Sequence, residues 1–205
     1  MTGHDMPRGK IVRRLGINIF GNEKYDRLLK KKPHSPGKNP KSSKRGKISD
    51  YSQQLLEKQK LKYTYGLSEP QMRNLFKKAA SAKGKTGDTM VKLLEQRLDN
   101  IIYVSGFART RGQARQMVTH GNFRVNDKSV DIPSYRISLN DRITLGTGKK
   151  ASKLIRANLA AKAAIVPPWI KTDTEELTLL IQGYPDINEE NSVVKMHLVV
   201  EYFAR

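Results

Sequence analysis

From Ser49 the apolar positions recur at helical spacing. "SDYSQQLLEKQKLKYTYG" starts at a serine suited to an N-cap and stops at Gly66, suited to the left-handed position after a helix. Tyr51, Leu55, Gln59 and Lys62 fall on one side, with Leu56, Lys60 and Tyr63 beside them. "SEPQMRNLFKKAASAKG" repeats the grammar: Ser68 caps, Pro70 lies in the first turn, Gln71 completes a capping box and Gly84 ends the helix. Its apolar stripe is Met72, Leu75, Phe76 and Ala79. The spacing predicts a third helix from Thr86 to about Asn100, with Met90, Leu93, Leu94, Leu98 and Ile101 inward.

After Thr110 the period changes. Ala114, Met117 and Val118 share one arc of a short helix that ends before Gly121, and Arg111, Arg115, Gln116, Thr119 and His120 take the opposite side. "FRVN" and "SVDI" then alternate as half-buried strands do, around a turn at Asn126-Asp127. "DRITLG" (141–146) reads as a third strand. "ASKLIRANLAAKA" reads as a helix with Leu154, Ile155 and Leu159 inward, Pro167-Pro168-Trp169 as a rigid turn, and "LTLLI" as a strand. "VVKMHLVVEYF" fits a strand by composition and a helix by length.

Charge changes this picture. The 205 residues include 39 Lys+Arg and 19 Asp+Glu, a net charge of +20. Residues 1–66 hold 17 basic and 5 acidic side chains, residues 67–165 hold 19 and 7, and residues 166–205 hold 3 and 7. Two consecutive basic blocks repel themselves unless a polyanion covers them, and nucleic acid is the default polyanion. An anionic membrane surface is the second candidate, but no apolar run approaches the roughly 18 to 20 residues that span a bilayer. The first residues lack the apolar core of a secretory signal. There is no cysteine, which excludes disulfides, thiolate zinc sites and cysteine nucleophiles, and fits a reducing compartment.

Residues 1–48 read as a basic extension. "KKKPHSPGKNPKSSKRGK" (30–47) has almost no apolar side chain and is expected to order only on a phosphate backbone. A short apolar patch upstream (Ile11, Val12, Leu15, Ile17, Ile19, Phe20) is suited to docking on the body.

The helix at 111–119 presents arginine, with no acidic residue between Arg109 and Asn126. A guanidinium holds phosphate through two hydrogen bonds and stacks on a splayed base. Folded RNA offers both, with 2′-hydroxyls that Asn, Gln and Ser can read.

"RLDNIIYVSGFARTRGQARQMVTHGNFRVNDKSVDIPSYRI" (97–137) closely resembles the RNA-binding domain of the S-four family of small-subunit ribosomal proteins. "SDYSQQLLEKQKLKYTYGLSEPQMRNLFKKA" and "VVKMHLVVEYFAR" resemble the helical part and the C-terminus of its bacterial-type members. The resemblance implies an α+β fold. A basic extended segment (1–48) precedes a helical domain (49–97, completed by 166–205), with a small RNA-binding domain (98–165) of a helix pair and an antiparallel sheet inserted between its parts. It favours a helix for "VVKMHLVVEYF". It also implies a cytoplasmic, non-catalytic constituent of the small ribosomal subunit that binds the 5′ domain of its ribosomal RNA and nucleates assembly. Further implied partners are messenger RNA where it enters the subunit, the neighbouring S-five protein, and an influence on decoding accuracy.

By the same resemblance the RNA-facing residues of the inserted domain are Arg109, Arg111, Gln113, Arg115, His120, Asn122 and Asn126, and Lys44, Arg45 and Lys47 lie toward the incoming messenger. Further candidate ribosomal-RNA contacts are Arg8, Lys10, Arg13, Arg14, Lys58, Lys60, Lys62, Arg73 and Lys128, with Tyr51 and Tyr65 as stacking surfaces.

The chain departs from the family at three places. Many members hold zinc through four N-terminal cysteines; none is present here, so no metal or cofactor is expected. The usual "PGQHG" reads Pro36-Gly37-Lys38-Asn39-Pro40, and the usual "VNG" turn reads Val125-Asn126-Asp127. Other chemistry finds little footing. Gly84-Lys85-Thr86 mimics the end of a phosphate loop, but the required earlier glycine is Ala79. His4, His34, His120 and His197 share no ligand spacing. Two other classes share the module: an RNA-modifying enzyme using it as a targeting arm, which needs a catalytic constellation absent from the flanking segments, and a stand-alone ribosome-rescue or stress factor.

Overall fold

The computed structural model describes residues 7–37, 49–146, 149–161, 166–185 and 194–205. In chain order these form α1 (Arg8–Leu15), α2 (Glu23–Lys31), α3 (Asp50–Tyr65), α4 (Glu69–Ala80), α5 (Thr86–Glu95), α6 (Leu98–Val104), α7 (Arg111–Thr119), β1 (Phe123–Val125), β2 (Lys128–Ser129), β3 (Arg142–Leu145), α8 (Lys149–Ala161), β4 (Ile170–Asp173), β5 (Thr178–Ile181) and α9 (Met196–Ala204). They pack as two units, Met1–Gly87 with Glu189–Arg205, and Asp88–Asn188. Among the described residues no helix is long and apolar enough to cross a membrane.

The first unit is helical and draws on sequence from both sides of the second. Its helices start and stop where the caps predict. Ser49 and Ser68 accept from the backbone N–H three residues on, Gln71 closes a capping box, and Gly66 takes φ 64°. The buried face of α3 is not the apolar one: Gln54, Glu57, Lys58 and Leu61 point inward. Helix α9 supplies part of their partners. Gln54 Nε2 donates to Glu201 Oε2 (2.9 Å), the Lys195 N–H donates to Glu57 Oε2 (3.0 Å), and Lys58 Nζ lies 4.7 Å from the Tyr202 ring centroid. Phe76 of α4 stacks on Phe203 at 5.1 Å. Gly87 lets α5 begin against α9, because a Cβ there would stand 3.2 Å from the Met196 Cβ.

Residues 7–37 depart from the expected extension by holding two helices. Ile11, Leu15 and Ile19 are buried together, and Leu56 and Tyr63 of α3 pack against them. The apolar patch upstream of the lysine-rich stretch therefore docks on the body. Arg13 ties the following loop down through Nε to the His34 carbonyl (3.1 Å).

The second unit surrounds one core. Leu98, Ile101, Ile102, Phe107, Ala114, Val118, Phe123, Ile143, Ile155 and Leu179 are buried within it. Its antiparallel sheet runs β2-β1-β3-β5-β4, with Phe123 opposite Leu145, Val125 opposite Ile143, and Ile143 opposite Leu179. Asn126 and Asp127 turn between β1 and β2 at φ 48° and 65°, the positive pair that a two-residue hairpin needs.

Three expectations change here, one strand is added and one mixed signal resolves to the helix that the resemblance favours. The third helix does not run to Asn100 but breaks between α5 and α6. Arg97 is extended (φ −70°, ψ 138°) and bridges Arg136, while the Leu98 N–H reaches the Tyr135 carbonyl and the Ile137 N–H reaches the Gln96 carbonyl. The boundaries near 97 and 165 move outward, because β4 and β5 pair with β3 and join the small sheet. The strand at 170–173 was hidden behind the proline turn. Leu154 points to solvent, at 41% exposure, and Ile155 alone is fully buried on that part of α8. The segment with mixed signals, 196–204, is a helix.

Lys58, at 4% side-chain exposure, is held by Glu69, which also pairs with Lys62 at 3.2 Å. Burial raises the Glu69 carboxyl, but the hydrogen bonds and charges of Lys58 and Lys62 outweigh it and leave its pKa below the usual value. A depressed carboxylate pKa adds stability above the unfolded-state pKa and loses it as pH falls through the folded one. Urea midpoints measured from pH 7 downward are expected to drop through the acid range in the native chain. In Glu69→Gln the midpoint starts lower at pH 7, and the gap between the two narrows as the medium is acidified.

Candidate nucleic-acid interface

Helix α7 is oriented by its core-facing side. Ala114, Met117 and Val118 are buried, which turns Arg111, Arg115, Gln116, Thr119 and His120 outward to differing degrees. Its start is fixed by two bonds: the Gln113 N–H donates to the Thr110 hydroxyl (3.1 Å), and the Arg109 N–H donates to Gln113 Oε1 (2.7 Å). Gln113 thus serves as a cap, and Arg109 is exposed beside it.

Helix α6 carries the partners of the two arginines. Asp99 and Asn100 are 5% and 1% exposed. Arg97 grips Asp99 with a fork, Nε to Oδ1 at 3.0 Å and Nη2 to Oδ2 at 2.9 Å. Arg115 Nη2 reaches the same Oδ2 at 3.3 Å. Arg111 Nε donates to Asn100 Oδ1 (3.0 Å), and its guanidinium lies 4.4 Å from the Tyr103 ring centroid. The missing acidic residues between Arg109 and Asn126 are therefore supplied in part from upstream. Asp99 is shared by two guanidiniums, and Glu95 reaches the same corner through Asn100.

The hairpin assigns other side chains to the fold. Asn126 Nδ2 donates to Asp141 Oδ1 (2.8 Å), and Asn126 Oδ1 accepts the Arg142 N–H (3.0 Å). Asn122 Nδ2 donates to the Met117 carbonyl (2.9 Å). Gln113, Asn122 and Asn126, expected as RNA contacts, hold α7 and the turn in place. His120, Lys128 and Arg124 remain exposed. Arg124 was not singled out from the sequence, although the alternation places it opposite Phe123 and Val125.

In the helical unit Arg8, Lys10, Arg14 and Arg73 are exposed, and Arg8 lies 5.4 Å from the Phe20 ring centroid. Lys58 is buried, Lys60 pairs with Glu57, and Lys62 pairs with Glu69. Those three lysines serve the packing of α3 rather than an open cationic face. Tyr51 is 49% exposed beside Tyr202, and their hydrogen bond pushes its phenol above the usual pKa, keeping it a neutral ring. Tyr65 is half-buried. Lys44, Arg45 and Lys47 lie outside the described residues. Among the described residues, no three His, Cys, Asp or Glu side chains are placed to hold a metal ion.

An arginine-bearing helix packed with a small antiparallel sheet, in a chain that also holds a helical unit, is the pattern of a nucleic-acid-binding protein. Comparison narrows it. Residues 4–95 match the Ribosomal protein S4/S9 N-terminal domain family, and residues 96–143 match the S4 domain family. The small ribosomal subunit protein uS4 of Treponema denticola is 50% identical over 199 residues, covering 97% of each chain. Those of Treponema pallidum (strain Nichols) and Borrelia garinii are 48% and 42% identical, over 97% and 100% of this chain and 97% and 99% of theirs. The chain belongs to the uS4 family of small ribosomal subunit proteins.

Asn126→Ala removes both side-chain bonds of the hairpin and leaves alanine at positive φ. It is expected to lower unfolding free energy by about 2 kcal/mol, read by chemical denaturation, with RNA affinity unchanged at temperatures where the variant is folded. A loss of affinity without a loss of stability would return Asn126 to the RNA face.

Proposed function

We propose that this chain is a non-catalytic constituent of the small ribosomal subunit, acting in the cytoplasm, that binds the 5′ domain of the subunit's ribosomal RNA and nucleates its assembly. The observation that carries the reading is the arginine-bearing face of α7 within a chain of net charge +20. The exposure of Arg109 and Arg124 in the same unit supports it, since both guanidinium side chains are open to an outside anion. Membership of the uS4 family supports the choice of ribosomal RNA over other polyanions.

In this reading Lys and Arg side chains displace counterions from RNA phosphates, and each unit holds its part of a folded junction in one geometry. Guanidiniums supply orientation as well as charge, because their planar fork matches two phosphate oxygens. The exposed cations Arg8, Lys10, Arg14 and Arg73 add further phosphate contacts. Lys44, Arg45 and Lys47 serve incoming messenger RNA, and the protein as a whole neighbours the S-five protein and influences decoding accuracy.

Affinity for a transcript of the 5′ domain is expected to fall steeply with salt, with a linear log–log slope. Arg111→Ala is expected to weaken binding on the order of 10-fold and make the slope shallower by about 1, as measured by filter binding or fluorescence anisotropy across a salt series. Salt-independent binding would remove the counterion mechanism.

A further inference from the structure

We propose that Asp99 and Asn100 are positioning residues for the RNA face: they fix the guanidiniums of Arg115 and Arg111 before RNA arrives. The inference rests on the RNA-binding reading above and deepens it. Both residues are buried at the start of α6, both are polar, and each takes one arginine of α7.

The chemistry of the two pins differs. Asp99 is neutralised by Arg97, whose fork occupies both carboxylate oxygens. A buried carboxylate requires such a partner. The contact to Arg115 is the longer third arm, 3.3 Å to Oδ2, and Arg115 keeps 24% side-chain exposure. Asp99 thus holds one edge of Arg115 and leaves part of its side chain open. Asn100 is fixed by its other end: Nδ2 donates to Glu95 Oε2 (2.8 Å) and to the Glu95 carbonyl (3.3 Å). That network sets the amide so that Oδ1 faces Arg111 Nε. Tyr103, one turn further along α6, lies against the same guanidinium. Arg111 and Arg115 are four residues apart on α7, and their pins are adjacent on α6.

Ordering a long side chain at an interface costs about 0.5–1.5 kcal/mol. When the fold has already ordered it, binding no longer bears that cost. Asp99 then acts against the simplest electrostatic expectation, since a negative charge inside a cationic face strengthens binding to a polyanion.

Asp99→Asn separates the two ideas by sign. It keeps the shape of the side chain and raises net charge by one. Charge counting alone predicts tighter binding to the 5′-domain transcript. Positioning predicts binding weaker by about 3- to 10-fold, with the loss shrinking when Arg115→Gln is already present. Equal or tighter binding by a variant that melts like the native chain overturns the proposal, and so does an undiminished loss in the Arg115→Gln background. A second measurement is independent of the variant's folding. In the free native protein, nitrogen-15 relaxation at Arg115 Nε is expected to match the rigid backbone, with exposed Arg14 as the mobile reference; an Arg115 as mobile as Arg14 overturns the proposal. Failure of the native chain to prefer the transcript over transfer RNA would instead refute the functional reading, leaving the relaxation result intact.

Discussion

Carboxylates are the scarce resource of this chain. With 19 acidic against 39 basic side chains, not every cation can be paired internally. Three of the acids that pair inside the fold each serve more than one donor. Glu69 holds Lys58 and Lys62, Asp99 holds Arg97 and Arg115, and Glu57 holds Lys60 and the Lys195 N–H. Sharing of this kind lets charged side chains enter packed seams, where an unpaired ion would be costly. The rest of the positive charge is left for a polyanion outside the chain.

Apolar packing and charge divide the work within the second unit. The sheet and the buried faces of α6, α7 and α8 supply the core, so α7 has one rotational setting. Once α7 is set, capping and turn side chains at Thr110, Gln113, Asn122 and Asn126 fix the backbone between the helix and the hairpin. The arginines then project from a rigid mount. Gln113, Asn122 and Asn126, which the resemblance puts on the RNA face, also fasten that mount.

Much of this was legible before any coordinates. The caps at Ser49, Ser68 and Thr110 are local signals, and each marks a helix start. The alternation of Phe123, Arg124 and Val125 and the positive-φ turn after it are local too. What escaped was non-local. The inward face of α3 is polar because α9, more than a hundred residues later, carries its partners. The break at Arg97 depends on backbone pairing with Arg136. Asp99 lay in a stretch quoted for its resemblance, yet its role needed the fold to bring Arg115 to it. α1 and α2 were obscured by the lysine-rich stretch that follows them.

The division of the helical unit has a temporal consequence. A nascent chain leaves the ribosome N-terminus first. Residues 88–188, with their own core, are complete before α9 emerges. Until then α3 lacks Glu201 and Tyr202 along its seam, and Gln54 has no carboxylate to receive its Nε2. The guest domain is therefore made whole before its host, whose helix α3 waits for α9.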